Sequence, residues 1–426
     1  MRILVVGGGG REHVLAWKIR QSPLVTDLIC APGNAGTADV ARNVAVGDGD
    51  VEGLARLCRD ESVELAVIGP EAPLAAGLAD RLRKDGVRVF GPGAAGARLE
   101  ASKSYAKQLM QRYAIPTGSA RTFRSFDEVA EHLEAQQDFP VVLKADGLAG
   151  GKGVVLPETL DEALAAARAM LHEGCFGDAG RTLLVEEHLR GEEVSVLALT
   201  DGRTLAVMEP AQDHKRIFDG DRGPNTGGMG AYSPAPVATP AFRAQVERDV
   251  LVRIVHALAR EHVDYRGVVY AGLMATRGGP RVIEFNCRFG DPEAQAILPR
   301  LRSDLVPLLA ACADGRLSQV EDLAWDPRPA VCVVVASAGY PGSSRHGDVI
   351  DGLRAVRDLE DVHVFHAGTA RRGDDIVTAG GRVLGVTALG DDVAAARDRA
   401  YRAVELIRFD GMQYRRDIAS RALGRT

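Results

Sequence analysis

Residues 2–13 read RILVVGGGGREH, a short apolar strand followed by four glycines and the charged opening of a helix. Apolar runs return at Leu24 to Cys30, Glu64 to Ile68 and Val87 to Phe90, and helical patterns start near Arg11, Val51 and Pro73. Strands alternating with helices in this rhythm predict a doubly wound parallel sheet in an α/β protein. Glycine or proline follows several of the strands, in GGGG at 7, APGNAG at 31, GPEAP at 69 and GPG at 91. Open backbone therefore sits along the carboxyl edge of the sheet, where this architecture binds ligands.

The first glycine loop has two physical readings. Its amides and the helix N-terminus behind it can hold a phosphate, or it is a tight turn and nothing more. The dinucleotide fingerprint GxGxxG/A is broken, because its last position falls on Glu12 or His13 depending on the starting glycine. The second strand also ends Ile29-Cys30-Ala31, without an acidic residue for a ribose. A nicotinamide-dependent oxidoreductase is disfavoured on both counts.

From about residue 101 the pattern changes to a helix carrying Lys103 and Lys107, then a β/α/β segment with PVVLK at 140–144. KADGLAGGKGV at 144–154 is not a Walker loop, since Gly147 is one residue too close and Gly153 replaces the hydroxyl residue. Strand character on both sides makes it a glycine-rich hairpin able to fold over a triphosphate, with Lys144 and Lys152 as point charges. Only seven of the 52 basic residues are lysine, so two in one hairpin count for more than two arginines would. The alternative is a solvated hairpin. A helix over 158–172 and a strand ending Val185-Glu-Glu187 follow.

The polar, glycine-rich stretch from Ala211 to Pro236 is too long for a simple connector and reads as a functional loop. Gln212-Asp-His-Lys-Arg216 and Gly223-Pro-Asn-Thr-Gly-Gly-Met-Gly230 join cationic groups to backbone donors, which suits anionic substrate capture; a linker is the other reading. Beyond a long helix at about 240–261, strands Gly267 to Thr276 and Pro280 to Asn286 form a hairpin around Arg277-Gly-Gly279. Strand alternation puts Glu284 and Asn286 on one face and Phe285 in the core. Two oxygen ligands on one strand suit Mg²⁺, or they are a cross-strand polar pair. RFGDPE at 288–293 adds a cation and two carboxylates beside them. After a helix over 303–313 and the Pro-rich WDPRP at 325–329, strands at 331–336, 362–366 and 382–388 and a helix at 391–408 make a third unit.

Composition narrows the class. With 426 residues, 46% hydrophobic and 26% charged, the chain is globular and long enough for about three domains. A net charge of −6 and no basic run beyond pairs argue against nucleic acid as partner. No apolar stretch reaches the roughly 18 residues of a membrane span, and the N-terminal strand running into Arg11-Glu12 is no signal peptide, so a cytoplasmic protein is expected. Six cysteines without CxxC spacing read as reduced thiols.

Taken together, GGGGREH, APGNAGT, GPEAPL, KADGLAGGKGV, QDHKR, GPNTGGMGAYSP and EFNCRFGDPE occur in an order that resembles the phosphoribosylamine–glycine ligases, or glycinamide ribonucleotide synthetases, of the ATP-grasp superfamily. The likeness spans residues 1 to 420. It implies an ATP-grasp fold with an N-terminal doubly wound parallel-sheet domain (1–100, substrate binding), an ATP-grasp domain (101–325, lid at about 120–190) and a small C-terminal α+β domain (326–426). The implied reaction joins glycine to 5-phosphoribosylamine with ATP as co-substrate, through a glycyl phosphate, in purine biosynthesis.

By position, the resemblance puts Lys103, Lys144 and Lys152 on ATP phosphates, Gly150 and Gly151 in the ATP site, Glu186, Glu187 and Leu189 on adenine and Glu193 on ribose. Glu284 and Asn286 would hold Mg²⁺ or Mn²⁺. Gly9, Gly10, Glu71, Asp213, Lys215, Asn225, Thr226, Gly227, Arg288 and Asp291 fall on the substrate side, with Arg288 and Lys144 as the catalytic cations. A monomer acting on small molecules is implied. Three positions depart from the pattern: Gly8 stands where Asn or Ser is frequent, Gly150 replaces Ala, and Val268 to Met274 lacks the metal-binding carboxylate of many ATP-grasp enzymes. A different ATP-grasp ligase should lack RFGDPE and GPNTGGMG, and a nucleotide-binding regulator would bind ATP without turnover.

Overall fold

The computed structural model describes residues 1–136, 138–148, 153–172 and 180–424. The predicted parallel sheet is present, with strands ordered Arg42–Asn43, Asp27–Pro32, Arg2–Gly7, Leu65–Ile68 and Arg88–Phe90. The chain winds outward from Arg2–Gly7 in one direction and then the other, so the loops after Gly7 and Ile68 flank the crevice. The helix expected near Pro73 is two helices, Glu71–Ala75 and Leu78–Lys84, separated at Gly77 with φ +84°. The edge strand Arg42–Asn43 is two polar residues long and carried no apolar signal. A Cβ at Gly8 would lie 2.5 Å from the Gly33 carbonyl oxygen, so the close approach of two loops explains glycine there.

Two further sheets frame a cleft. One is antiparallel, ordered Leu205–Val207, Glu192–Thr200, Gly267–Thr276, Gly279–Asn286, and we call it the floor. Its apolar face shares a buried core with the first sheet, where Val194, Val269 and Phe285 meet Leu4, Val6 and Ile68. The other is ordered Ala120–Phe123, Leu183–Glu187, Val141–Ala145, Val154–Val155 and has its own small core under the helices Phe126–Glu134 and Leu160–Leu171. Val141–Ala145 pairs antiparallel with Val154–Val155, as the hairpin reading required. Positions 149–152, including Gly150, Gly151 and Lys152, lie outside the described residues, as does Cys175.

The stretch from Ala211 to Pro236 is more ordered than a loop. Gln212–Asp213 and Gly230–Ser233 are strands, and Gly230–Ser233 pairs with Ala330–Ala336 of the C-terminal unit. The resulting sheet runs Gln212–Asp213, Gly230–Ser233, Ala330–Ala336, Arg382–Leu389, Val362–His366, backed by the helix Val393–Val404. Glycine and short polar residues masked the strand character of these segments, which is supplied by their partners. Among the described residues no helix is long and apolar enough to cross a membrane.

Buried neutral histidines join the C-terminal unit to the rest. His13 Nδ1 accepts from the His366 amide at 2.7 Å, and His214 Nε2 accepts from the Ala419 amide at 3.1 Å. Burial and the neighbouring His366 push the His13 pKa down to about 3. Burial, with Arg421 and Arg415, takes His214 to about 3 against the pull of Asp221 and Asp417. Burial, with Arg357 and Arg371, takes His366 to about 4 against Asp39. Unfolding frees each to bind a proton at its ordinary value of 6.5, so stability is complete above that pH and lost as pH falls below it. Each should contribute a loss of about 1.4 kcal/mol per pH unit between 6.5 and roughly 4. Urea unfolding from pH 7.5 to 5 checks this; a midpoint that is flat over that range would contradict it.

Candidate active site

The floor sheet fixes the central row of side chains through its register. Glu193 lies opposite Met274, Ser195 opposite Gly272, Gly272 opposite Glu284 and Tyr270 opposite Asn286. Directly paired residues share a face, so Glu193, Ser195, Tyr270, Glu284 and Asn286 all project from one side while Phe285 is buried in the core on the other. Gly272 is the position where a carboxylate would have faced Glu284. A Cβ there would already lie 3.1 Å from Glu284 Cγ, so this strand adds no acid.

Above this face lies a cleft of about 600 Å³. Every described residue assigned to the site from sequence lines it except Gly9 and Gly10. The Gly9 amide is already taken, donating to Glu12 Oε2 at 2.7 Å, and Arg11 is the residue of this loop that reaches the cleft wall. The loop is therefore tied to its own helix more than the phosphate reading required.

One wall carries the lysines. Lys144 Nζ lies 2.9 Å from Glu186 Oε2 and donates to the Ile283 carbonyl at 3.0 Å; Lys107 Nζ reaches the same Glu186 oxygen at 3.1 Å. Ile283 is the extra residue of a β-bulge between the Gly272 and Leu273 pairs, which turns its carbonyl to Lys144. Lys103 donates to the carbonyls of Ala145 and Gly147, at 3.1 and 2.7 Å, and so braces the base of the hairpin. Burial pushes the Lys103 pKa down, opposed by Glu284. Glu187 turns its carboxylate to the Ser119 amide at 3.0 Å, and the Glu186 carboxylate is held by lysines, so neither side chain is aimed outward at a base.

Arg288 is gripped from behind. Its guanidinium lies 2.7 Å from Glu100 Oε1 and 3.3 Å from Glu71 Oε2, and it donates to Asn286 Oδ1 at 3.2 Å. Burial alone would lower its pKa, but Glu100 and Glu71 raise it. Burial pushes Glu71 up, yet Arg288 and Arg11 bring it below its ordinary value. Beside this cluster, Lys215 Nζ sits 3.1 Å from Glu193 and 3.7 Å from Glu284. Burial drives the Asp213 carboxyl up to about 7, with Lys215 pulling down and Glu293, Glu193 and Glu284 pushing further up.

The C-terminal unit reaches in with residues that sequence reading did not select. Arg382 donates to the carbonyls of Gly227 and Asp291, at 2.7 and 2.6 Å, and pairs with Asp291 Oδ2 at 3.3 Å. Tyr340 accepts from the Gly227 amide at 2.9 Å. Thr226 donates twice to the Lys215 carbonyl, at 2.7 and 2.8 Å, which locks its loop to the QDHKR segment. Arg11, Glu100, Lys107 and Arg382 were the residues missed, while Glu293 was noted only as one of the two carboxylates of RFGDPE. Of these only Lys107 had a usable signal, the scarcity of lysine.

Glu284 and Asn286 suit a hard divalent cation. Burial raises the Glu284 pKa, but Lys215, Lys144, Lys103 and Arg288 outweigh it and bring it to about 2, so the carboxylate stays ionised. The donors are oxygens on one rigid strand, the chemistry that Mg²⁺ or Mn²⁺ accepts and that Zn²⁺ sites rarely use alone. Among the described residues no group of three or more His, Cys, Asp or Glu side chains is arranged to hold a metal ion. Any metal here would complete its shell with phosphate and water.

Known proteins match this arrangement along the whole chain. Residues 1–100, 101–294 and 330–421 match the N domain, the ATP-grasp (A) domain and the C domain of phosphoribosylglycinamide synthetase. A phosphoribosylamine–glycine ligase of Rhodopirellula baltica is 50% identical, covering 99% of this chain and 98% of its own length. That of Pseudomonas aeruginosa is 50% identical, covering 100% and 99%. The crystal structure of phosphoribosylamine–glycine ligase from Thermotoga maritima superposes with a TM-score of 0.86 at 32% identity, covering 98% of this chain and 100% of that one. A biotin carboxylase domain of Hydrogenobacter thermophilus shares the fold alone, with a TM-score of 0.73 at 17% identity over 97% and 91% of the two chains. The match of three family domains in order and of relatives at half identity over full length places the chain in the phosphoribosylglycinamide synthetase family of ATP-grasp ligases.

Proposed function

We propose that the chain joins glycine to 5-phosphoribosylamine, cleaving ATP to ADP and phosphate and releasing glycinamide ribonucleotide, and that glycyl phosphate is the intermediate. The observation that carries this reading is the single cleft in which the buried lysines, an oxygen pair for a metal and a clamped arginine converge. Phosphoryl transfer needs charge neutralisation and alignment more than proton transfer. That is what these residues supply.

Lys144, fixed by Glu186 and the Ile283 carbonyl, meets the nucleotide phosphates, with Lys103 at the root of the hairpin. Leu189 packs on adenine and Glu193 accepts from the ribose. A divalent metal, Mg²⁺ or Mn²⁺, held by Glu284 and Asn286 would draw charge from the β- and γ-phosphates. Arg288 takes the glycine carboxylate through the N–H that its contacts with Glu71, Glu100, Asn286 and the Phe289 carbonyl leave free, and keeps one oxygen facing the γ-phosphorus. That oxygen bonds to phosphorus as the bond to ADP breaks. The ribosylamine nitrogen then bonds to the acyl carbon, phosphate leaves with the oxygen that glycine brought, and the nitrogen gives up a proton. Glu71, Asn225, Thr226, Gly227 and Asp291 lie on the phosphoribosylamine side. The chain acts as a monomer of three domains, 1–100, 101–325 and 326–426.

The test is ADP release with glycine and freshly generated phosphoribosylamine, each omitted in turn. Full turnover only with both supports the reading, and rapid ADP release from ATP alone overturns it. Glu284→Gln should keep the fold and raise the Mg²⁺ concentration for half-maximal rate by about tenfold or more, because one charged ligand becomes neutral. An unchanged Mg²⁺ titration would show that Glu284 is a structural residue.

A further inference from the structure

Two carboxylates in the cleft form no ion pair once the nucleotide, the metal and the arginine clamp are accounted for, Lys215 acting on Asp213 only from beyond salt-bridge distance. Asp213 is only 6% exposed, lines the cleft, and among the described residues its carboxylate makes no hydrogen bond or ion pair. Glu293 is 3% exposed and lines the same cleft. Its Oε1 accepts from the Tyr270 hydroxyl at 2.6 Å and is 3.3 Å from the Ser195 hydroxyl, which itself lies 2.7 Å from that of Tyr270. Its Oε2 carries no hydrogen bond among the described residues. One oxygen is thus anchored by the floor sheet and the other is left for a ligand.

Buried carboxylates of this kind call for a cationic donor. Lys215 does not serve Glu293, because its Nζ is held between Glu193 and Glu284. Phosphate-bearing ligands would be repelled. Tyr270, which anchors Glu293, is the cross-strand neighbour of Asn286, so Glu293 borders the face that carries Glu284, Asn286 and Arg288, and Asp213 lines the same cleft close enough to feel both Glu293 and Glu284. A ligand bridging the two places has a carboxylate at one end and a compact cation with several N–H donors close behind it.

We propose that Asp213 and Glu293 form the subsite for the α-ammonium group of the amino acid substrate, with Ser195 and Tyr270 as the residues that position Glu293. This rests on the ligase reading above, in which Arg288 holds the carboxylate of the same molecule. The pairing also accounts for chemical selectivity. An ammonium group flanked by two carboxylates keeps its proton and has no lone pair, so it cannot attack the acyl phosphate of another glycine, and the ribosylamine nitrogen remains the available nucleophile.

The experiment is initial-rate kinetics of ADP release for the wild type, Asp213→Asn and Glu293→Gln, varying glycine, ATP and phosphoribosylamine separately. In each variant the KM for glycine should rise by about a hundredfold while those for the other two stay near wild type, because a charged partner of one ligand alone is lost. In the wild type, glycolate, which has the carboxylate without the ammonium, should compete with glycine at least about a hundredfold more weakly than glycine binds. That comparison decides the matter even where a variant fails to fold: glycolate competing as well as glycine overturns the proposal. So does an unchanged glycine KM in folded variants, or a rise confined to phosphoribosylamine, which would give the acids to ribose hydroxyls. A wild type whose ADP release ignores glycine defeats the ligase reading itself, a different failure from glycine-dependent turnover with unaltered variants.

Discussion

Lys144→Ala should lower kcat/KM for ATP by about a hundredfold to a thousandfold, on the order of 3 to 4 kcal/mol of transition-state stabilisation, because a positioned charge is removed from a partly dry site. Its ammonium is fixed by two contacts, Glu186 at 2.9 Å and the Ile283 carbonyl at 3.0 Å, so little reorganisation is needed when phosphate arrives. The fold should survive. Glu186 keeps Lys107 at 3.1 Å, so the change does not leave a lone buried carboxylate, the situation that costs about 3 to 5 kcal/mol. Lys84→Ala, at an exposed helix end, is the control. Equal kcat/KM in the two variants, both folded by circular dichroism, would remove the lysine wall from the account.

Arg288→Ala should be more damaging, with turnover down by about a thousandfold, since it deletes the group assigned to the glycine carboxylate and to the charge of the acyl phosphate. Arg288→Lys tests the geometry separately from the charge. A point charge cannot reproduce the planar fork that spans Glu100, Glu71 and Asn286, so a loss of about a hundredfold is expected there too. The alanine variant also strips Glu100, 8% exposed at its side chain, of its cation and leaves it only the Cys287 amide and thiol. Burial already pushes the Glu100 pKa up, and without Arg288 it rises further, so the residue protonates and softens the stability loss. A lysine variant with wild-type glycine KM and kcat would show that Arg288 only braces Glu100.

Periodicity carried the strand-borne part of the site. Alternation alone placed Glu284 and Asn286 on one face and Phe285 in the core, and the floor sheet does so. The glycine loop at 7–10 was legible as a strand-to-helix turn, but not that Glu12 would take up the Gly9 amide at 2.7 Å. Nor did a run of glycines disclose which of them faces the Gly33 carbonyl. Contacts made across hundreds of residues left no local trace. Arg382 is one of 45 arginines by composition, and only the packing of the C-terminal sheet on Gly230–Ser233 brings it to Gly227 and Asp291. The same pairing turned an expected loop at 211–236 into strands, since two-residue and four-residue segments owe their conformation to partners that are distant in sequence.

Activation of glycine by phosphoryl transfer is the centre of this account, and the fate of one oxygen tests it. Glycine labelled with ¹⁸O in both carboxylate oxygens is turned over with ATP and phosphoribosylamine, and the released inorganic phosphate is weighed by mass spectrometry. Attack of the carboxylate on the γ-phosphorus predicts one ¹⁸O in every phosphate released and one retained in the amide. Unlabelled phosphate, with the displaced carboxylate oxygen appearing in water or in the nucleotide instead, would contradict it.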